Sequence, residues 1–197
     1  MTQQKQSSYA PTVVKISGIL LLICAIIAGI VSFVYSLTID AYRTNEKNEL
    51  EKNLREIYDA LEDPDFRAEE YVKEKDYTVY RINKGGETLL CVNVAGKGFS
   101  DLNVIVGYDA NLSILGIKVS ALGETPGIGT RATEEAHLSQ YKGKTGELTM
   151  DKGADVEAIS GATISSEGIH AAINRANVLV TQYASNADTS DPATENS

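Results

Sequence analysis

An uncharged, apolar run fills the chain from Ile16 to Ile39. As an α-helix, its roughly 24 residues would be about 36 Å long, and a bilayer core of about 30 Å needs only about 20 residues. The run is too long for the apolar region of a signal peptide, and no A-x-A cleavage pattern follows it. We therefore predict one uncleaved transmembrane helix over residues 16–39, after a short N-terminal segment over residues 1–15.

Helical spacing continues beyond the apolar run, now among many charged residues. Apolar side chains recur three and four positions apart over residues 41–62, which is typical of a helix with one buried face. They are Leu50, Leu54, Ile57, Tyr58 and Leu61. Asp63-Pro64 should end this helix, because the residue before a proline disfavours helical backbone. The pattern predicts a linker helix over residues 40–63.

Short apolar stretches separated by turn residues predict two β-hairpins. Strands over residues 77–82 and 88–94 are joined by Asn-Lys-Gly-Gly, and strands over 102–108 and 112–120 are joined by Asp-Ala-Asn. A glycine-rich loop without periodicity, residues 121–131, follows the second hairpin.

The last third of the chain returns to helical spacing. We predict a short helix over residues 132–143, a short strand over 156–160, and a final helix from Ile164 to about Tyr183. Residues 184–197 have almost no apolar content and are predicted to be a disordered tail. Two hairpins and these helices indicate a small α+β domain over residues 64–183.

Charge and cysteine content exclude several classes of function. The chain has 27 acidic and 18 basic residues, a formal net charge of -9. Such a surface repels phosphate backbones, so we expect no nucleic-acid partner. Cys24 and Cys91 have neither metal-binding nor redox spacing and are expected to be inert apolar residues. We expect His137 to be exposed on a short polar helix and His170 to pack beside the core.

The charges that flank the apolar run leave its orientation undecided. Only Lys5 and Lys15 precede the run, whereas four basic residues follow it closely. They are Arg43, Lys47, Lys52 and Arg55. The positive-inside rule would then keep the following domain in the cytoplasm, but acidic residues are interleaved with these four and long domains are exported despite their charge.

Small and hydroxyl-bearing residues are concentrated before the last helix, where residues 159–168 read ISGATISSEG. Thr163 would stand at the helix start, where backbone N–H groups have no helical partner. One interpretation is an N-cap with serines in the first turn. The other is a phosphate site, because a helix N-terminus offers donors and a favourable dipole to an anion. The pattern alone leaves both open.

The stretch SGATIS, residues 160–165, resembles the S/T-G-A-T-x-S/T signature of proteins that carry covalently attached FMN. In that family a flavin transferase joins the FMN phosphate to the threonine hydroxyl, and the matching acceptor is Thr163. The resemblance implies that the surrounding motif residues, Ser160, Gly161, Ala162 and Ser165, contact the cofactor. Asp155 or Glu157 lies where the family often has an acid.

Other segments support the same resemblance. ETPGIG, residues 124–129, is similar to the ETPGLG loop of the family, and GKGFSD, residues 96–101, resembles a glycine-rich segment of it. Pro126 would stiffen the loop, while Gly127 and Gly129 would permit close backbone approach. We expect this loop to cover the isoalloxazine ring, with Glu124 and Thr125 as further contacts.

The whole pattern resembles the G subunits of Rnf complexes, which are ion-translocating ferredoxin:NAD oxidoreductases. The C subunits of the sodium-translocating NADH:quinone reductase are similar but usually longer. The resemblance implies an electron-relay subunit, active within a complex rather than as a catalyst alone. It also implies partner membrane subunits, a flavin transferase for maturation, and a single-pass anchor in the lipid bilayer with an extracytoplasmic domain. Two alternatives remain: a stand-alone membrane-anchored flavin-binding sensor or scaffold, and a flavin-dependent reductase of a diffusible acceptor.

Overall fold

The computed structural model describes residues 10–120 and 129–187 of the 197-residue chain. The chain divides into two units, Met1–Glu49 and Leu50–Ser197. Helix α1, Ala10–Ile57, begins in the first unit, and its apolar part has a mean hydropathy of 2.7. By length and composition this helix could cross a membrane.

The second unit is built on one five-stranded antiparallel sheet, in which sequential neighbours pair in the order β1-β2-β3-β4-β5. The strands are β1 Arg67–Lys73, β2 Tyr77–Lys84, β3 Glu87–Lys97, β4 Asp101–Tyr108 and β5 Ile114–Ser120. Both predicted hairpins are present, and the expected α+β class is confirmed.

After the sheet come a 3₁₀ turn Gly129–Thr133, helix α2 Glu135–Leu138, a second 3₁₀ turn Ser139–Tyr141, and helix α3 Thr163–Ala187. The predicted helix over 132–143 is therefore split into three short pieces. The predicted strand over 156–160 is reduced to a single bridge between Met150 and Val156. Helix α3 runs four residues past the predicted end near Tyr183, and the rest of the predicted tail lies outside the described residues.

The two faces of the sheet are covered by different elements, because successive side chains of a strand point to opposite faces. On one face Val92, Val94 and Val104 pack against α3, whose inward side chains include Ile169 and Ile173. The opposite face is covered by the end of α1 and the segment after it. There Leu54, Ile57, Tyr58 and Phe66 pack with Tyr80, Ile82, Cys91 and Ile105.

Helix α1 ends at Ile57, six residues before the predicted boundary at 63. Tyr58 is buried between β3 and β4, and its hydroxyl donates to the carbonyl of Leu90 at 2.7 Å. The same hydroxyl accepts the N–H of Tyr108 at 3.1 Å. The chain turns directly after it, with Asp59 at φ 50°. Tertiary anchoring of Tyr58 therefore stops the helix before the proline does.

Strand β1 was not predicted, and its sequence explains why. It lies at the edge of the sheet, most of its residues are exposed, and its pairing with β2 is irregular between Glu70 and Val72. An edge strand with charged, outward side chains lacks the apolar alternation that marks a half-buried strand.

Candidate functional site

Thr163 is the first residue of α3. The carbonyl of Ala162 accepts the N–H of Ser166 at 2.9 Å, which is the first bond of the helix and makes Ala162 the N-cap residue. Alanine has no side-chain oxygen with which to cap the first turn. The structure therefore does not give Thr163 the N-cap position that one interpretation of the sequence assigned to it.

The predicted site residues divide into an exposed and a buried set. Ser160, Gly161 and Thr163 are exposed, whereas Ala162 and Ser165 are buried under them. The Thr163 hydroxyl makes no hydrogen bond within the described part of the chain. Gly161 has φ +83°, and a Cβ built there would meet no atom within 4 Å. The Thr163 hydroxyl, the predicted acceptor, thus lies on open surface beside a backbone conformation that favours glycine.

Three contacts hold the segment that leads into Thr163. The Ser166 hydroxyl accepts the N–H of Ile159 at 3.1 Å and closes the turn before the helix. The Gln140 side chain accepts the backbone N–H of Glu157 at 2.9 Å and donates to the backbone carbonyl of Glu157 at 3.4 Å. The Arg131 guanidinium donates to the Ser160 carbonyl at 3.4 Å. The start of α3 is therefore fixed from its own first turn and from both 3₁₀ turns.

The two acids that precede the motif, Asp155 and Glu157, accept hydrogen bonds from residues close to them in sequence. Asp155 accepts the N–H of Thr149 at 2.9 Å and its hydroxyl at 2.8 Å, and these bonds lower the pKa of the Asp155 carboxyl. Glu157 accepts the N–H of Gly153 at 3.0 Å. Both carboxylates stabilise the loop that precedes the site.

Of the predicted ETPGIG loop, Glu124, Thr125 and Gly127 lie outside the described residues. Gly129 is buried and opens the first 3₁₀ turn, which packs against α3. In that turn Ala132 is fully buried in the same apolar cluster as Ala162. The structure thus brings the end of the loop to the start of α3.

The hairpin between β3 and β4 lies against α3 with no side chain between the two backbones. A Cβ on Gly168 would lie 2.5 Å from the Lys97 carbonyl oxygen and 2.7 Å from the Gly98 Cα. A Cβ on Gly96 would lie 3.0 Å from the Ala172 Cβ. On the hairpin, Ser100 lines an open groove of about 580 Å³ that reaches Ser120, the last residue of β5. Its tip residue, Phe99, is 70% exposed.

His137 was expected to be exposed, and this was wrong: it is fully buried. Its ring packs edge-on against Tyr141, with the ring centroids 5.8 Å apart. Burial lowers the pKa of His137 and also that of His170, which lies 3.3 Å from the Tyr141 hydroxyl through its Nδ1. The Nε2 of His137 has no hydrogen-bond partner within the described residues. The packing of α2 against the two 3₁₀ turns and the ring of Tyr141 bury this histidine, and the polar sequence around it gave no sign of that packing.

Comparison with known proteins shows what the domain resembles. Residues 98–177 match the family described as FMN-binding domain. The chain is 26% identical over 187 residues to the G subunit of the ion-translocating oxidoreductase complex of Aliivibrio fischeri, covering 84% of this chain and 89% of that protein. It is 25% identical over 195 residues to the protein of the same name of Vibrio cholerae, covering 87% and 92%.

A clostridial relative and a solved structure each match a smaller share of this chain. The G subunit of the proton-translocating ferredoxin:NAD(+) oxidoreductase complex of Clostridium ljungdahlii is 27% identical over 117 residues, which are 56% of this chain and 62% of that protein. The crystal structure of Shewanella oneidensis NqrC is 26% identical with a TM-score of 0.43, covering 57% of this chain and 64% of that one. The expected resemblance to G subunits, drawn from the sequence motifs, is confirmed.

The residues at the start of α3 fit an FMN phosphate. The open space over Gly161 leaves room for a bulky group, and the N-terminus of a 25-residue helix favours an anion. Arg131 adds a positive charge at the Ser160 carbonyl, three residues before Thr163. The groove of about 580 Å³ is lined by the β3–β4 hairpin and Ser120 rather than by α3, and its volume is within the usual range for a bound cofactor, about 300–1,000 Å³.

Proposed function

We propose that this chain, a homologue of the G subunits of ion-translocating oxidoreductase complexes, is an electron-transfer flavoprotein of such a complex, with its FMN bonded through the phosphate to Thr163. The observation that carries the proposal is the position of Thr163. It is the fourth residue of the SGATIS motif, the first residue of α3, and exposed inside the matched FMN-binding domain.

The attachment chemistry requires an accessible hydroxyl and a place for one negative charge. Formation of the phosphodiester joins the Thr163 oxygen to the FMN phosphorus with net loss of water, and a flavin transferase would catalyse it. The product keeps one negative charge, which the N–H groups of the first turn of α3 stabilise. Ser165 is buried and Ser166 is bonded to Ile159, so Thr163 is the motif hydroxyl of the first turn that faces solvent.

When bound, FMN supplies the redox chemistry, and the protein supplies position and electrostatics. We propose that the Glu124–Gly129 loop covers one side of the isoalloxazine ring, with Glu124 and Thr125 as polar contacts. The buried Gly129, which opens the 3₁₀ turn packed against α3, supports this because it places the end of the loop near the attachment point. Gly127→Val should then alter the midpoint potential of the flavin while its covalent attachment persists.

The chain is a membrane protein, since its N-terminal helix is apolar and long enough to span and its relatives are subunits of ion-translocating complexes. We propose that the other subunits of an Rnf-type complex are its partners and that its domain is extracytoplasmic. Ser190→Cys should react with a membrane-impermeant thiol reagent in whole cells, in a Cys24→Ala background. Labelling only after lysis would place the domain in the cytoplasm.

Intact mass and in-gel fluorescence test the flavin bond. The wild-type chain, purified from a host that has flavin transferase, should exceed its calculated mass by one FMN less one water and should fluoresce after denaturation. Thr163→Val should lose both signals. Thr181→Val is the matched control, because Thr181 lies on the exposed side of the same helix and its hydroxyl bonds only the Asn177 carbonyl within the described residues.

Retention of the FMN mass in Thr163→Val would place the bond on another residue. A wild-type chain with FMN that exchanges no electrons with a purified complex would instead favour a flavin-binding sensor or scaffold. The two results separate the attachment site from the redox role.

A further inference from the structure

We propose that Phe99, at the tip of the hairpin between β3 and β4, together with Ile164 in the first turn of α3, forms an apolar contact for the isoalloxazine ring of the FMN. This contact rests on the proposed attachment at Thr163. It assigns the ring a surface within the described residues, independent of the Glu124–Gly129 loop.

The hairpin runs along α3 towards its N-terminus. Gly96 meets α3 at Ala172, and two residues later Gly98 meets it at Gly168. Two strand residues advance about 7 Å and four helical residues about 6 Å, so the hairpin and the helix run side by side. The next residue, Phe99, therefore lies level with the first turns of α3, close to the attachment point.

Ile164 lies on the same side of the helix as the hairpin contact. It precedes Gly168 by four positions, and residues four apart are neighbours on one helical face. Its side chain is 62% exposed, immediately after Thr163. An exposed apolar side chain thus directly follows the proposed acceptor, on the side of the helix that the hairpin meets.

The tip also borders the groove. Gly98 contacts α3, and Ser100 lines the groove of about 580 Å³, so Phe99 lies in sequence between a residue that meets the helix and a residue that lines the groove. A flavin tethered at Thr163 has a planar aromatic ring, and such rings gain from stacking on aromatic and aliphatic side chains. Single exposed apolar residues are ordinary on protein surfaces. The position of this pair, beside the tether and the groove, is what indicates a ring contact.

Covalently loaded full-length protein allows a test by flavin fluorescence and by its quenching with iodide. A side chain stacked on the ring shields one face of it from a collisional quencher such as iodide. Phe99→Ala should therefore increase the iodide quenching constant severalfold, and Ile164→Ala should do so less strongly. Phe99→Tyr should keep the shielding and lower the flavin fluorescence, because a tyrosine in contact with the ring can donate an electron to the excited flavin. Val178→Ala is the matched control: Val178 is 64% exposed on the same helix, about 21 Å along it from Ile164 at 1.5 Å per residue.

Intact mass is measured on every sample. Wild-type protein without the FMN mass would overturn the proposed attachment, and the ring contact with it. Loaded Phe99→Ala with the wild-type iodide quenching constant would overturn the ring contact alone. If this variant kept that constant but failed to join the complex, Phe99 would be an interface residue instead. Because Phe99 is 70% exposed, its truncation should leave the fold intact, and near-UV circular dichroism checks this.

Discussion

The close approach of α3 to the β3–β4 hairpin makes Gly168→Ala a sharp test of the packing. The new Cβ would lie 2.5 Å from the Lys97 carbonyl oxygen and 2.8 Å from the Gly98 nitrogen, where ordinary contacts begin at 3.4 Å. Both neighbours are backbone atoms, so no side-chain rotation can relieve the clash. The hairpin or the helix must move by close to an ångström.

The expected change in the free energy of unfolding of Gly168→Ala is the difference between two opposing effects. Overpacking of this kind costs typically about 1–3 kcal/mol. Alanine is also the better helix former, which returns about 1 kcal/mol. We expect a net loss of about 1 kcal/mol in the free energy of unfolding. If Phe99 makes the proposed ring contact, displacement of its hairpin should also increase the iodide quenching constant of the flavin without loss of the covalent bond.

Urea unfolding of the detergent-solubilised chain, followed by near-UV circular dichroism of its buried tyrosines, measures the change. Glu167→Ala is the control, because its position is the exposed neighbour on the same helix, and we expect a change within about 0.5 kcal/mol. If Gly168→Ala were as stable as wild type, with the same iodide quenching constant, the two backbones would not be in contact and the placement of Phe99 would lose its basis.

Three further predictions concern buried polar groups. Tyr108→Phe should lower the free energy of unfolding by about 1–3 kcal/mol, because it leaves the Asn177 side-chain oxygen without its 2.7 Å donor; an unchanged urea midpoint would show that water replaces it. The pKa values of His137 and His170 are lowered by burial, so stability should be full above pH 6.5 and fall as the pH drops below it. Thermal scans should show a smaller fall in His137→Phe, and an equal fall would assign the effect to other groups. Cys91 is fully buried and its pKa is raised by that burial, so in a Cys24→Ala background it should react with iodoacetamide only in urea; labelling of the folded variant would show local opening.

The elements predicted well from the sequence are those whose local pattern and tertiary role agree. Both hairpins have apolar side chains on two covered faces, and the start of α3 was placed within one residue because small and hydroxyl-bearing residues mark it. The proposed acceptor, Thr163, came from a resemblance to a motif. The geometry then showed which motif hydroxyls face solvent and which are buried.

The elements missed are those decided by contacts distant in sequence. Strand β1 forms because β2 offers an open edge, and α1 stops at Ile57 because Tyr58 bonds to strands more than thirty residues away. His137 is buried because α2 packs beside Tyr141 and His170. The role of Phe99 depends on Gly168 meeting Gly98, seventy residues apart, which no local pattern can show.

The location of Thr163 allows the fold and the modification to be independent. The core under α3 is formed by Ala162, Ile169 and Ile173, which face the sheet, whereas Thr163 faces away from them. The turn before it is closed by Ser166 and Gln140, neither of which needs the flavin. Under the proposed attachment, the domain can therefore fold before a transferase reaches it, and Thr163 is then presented on a fixed helix start rather than on a flexible loop. A tether at such a point would restrict the flavin to the surface around it, where the proposed ring contact by Phe99 and Ile164 would be made.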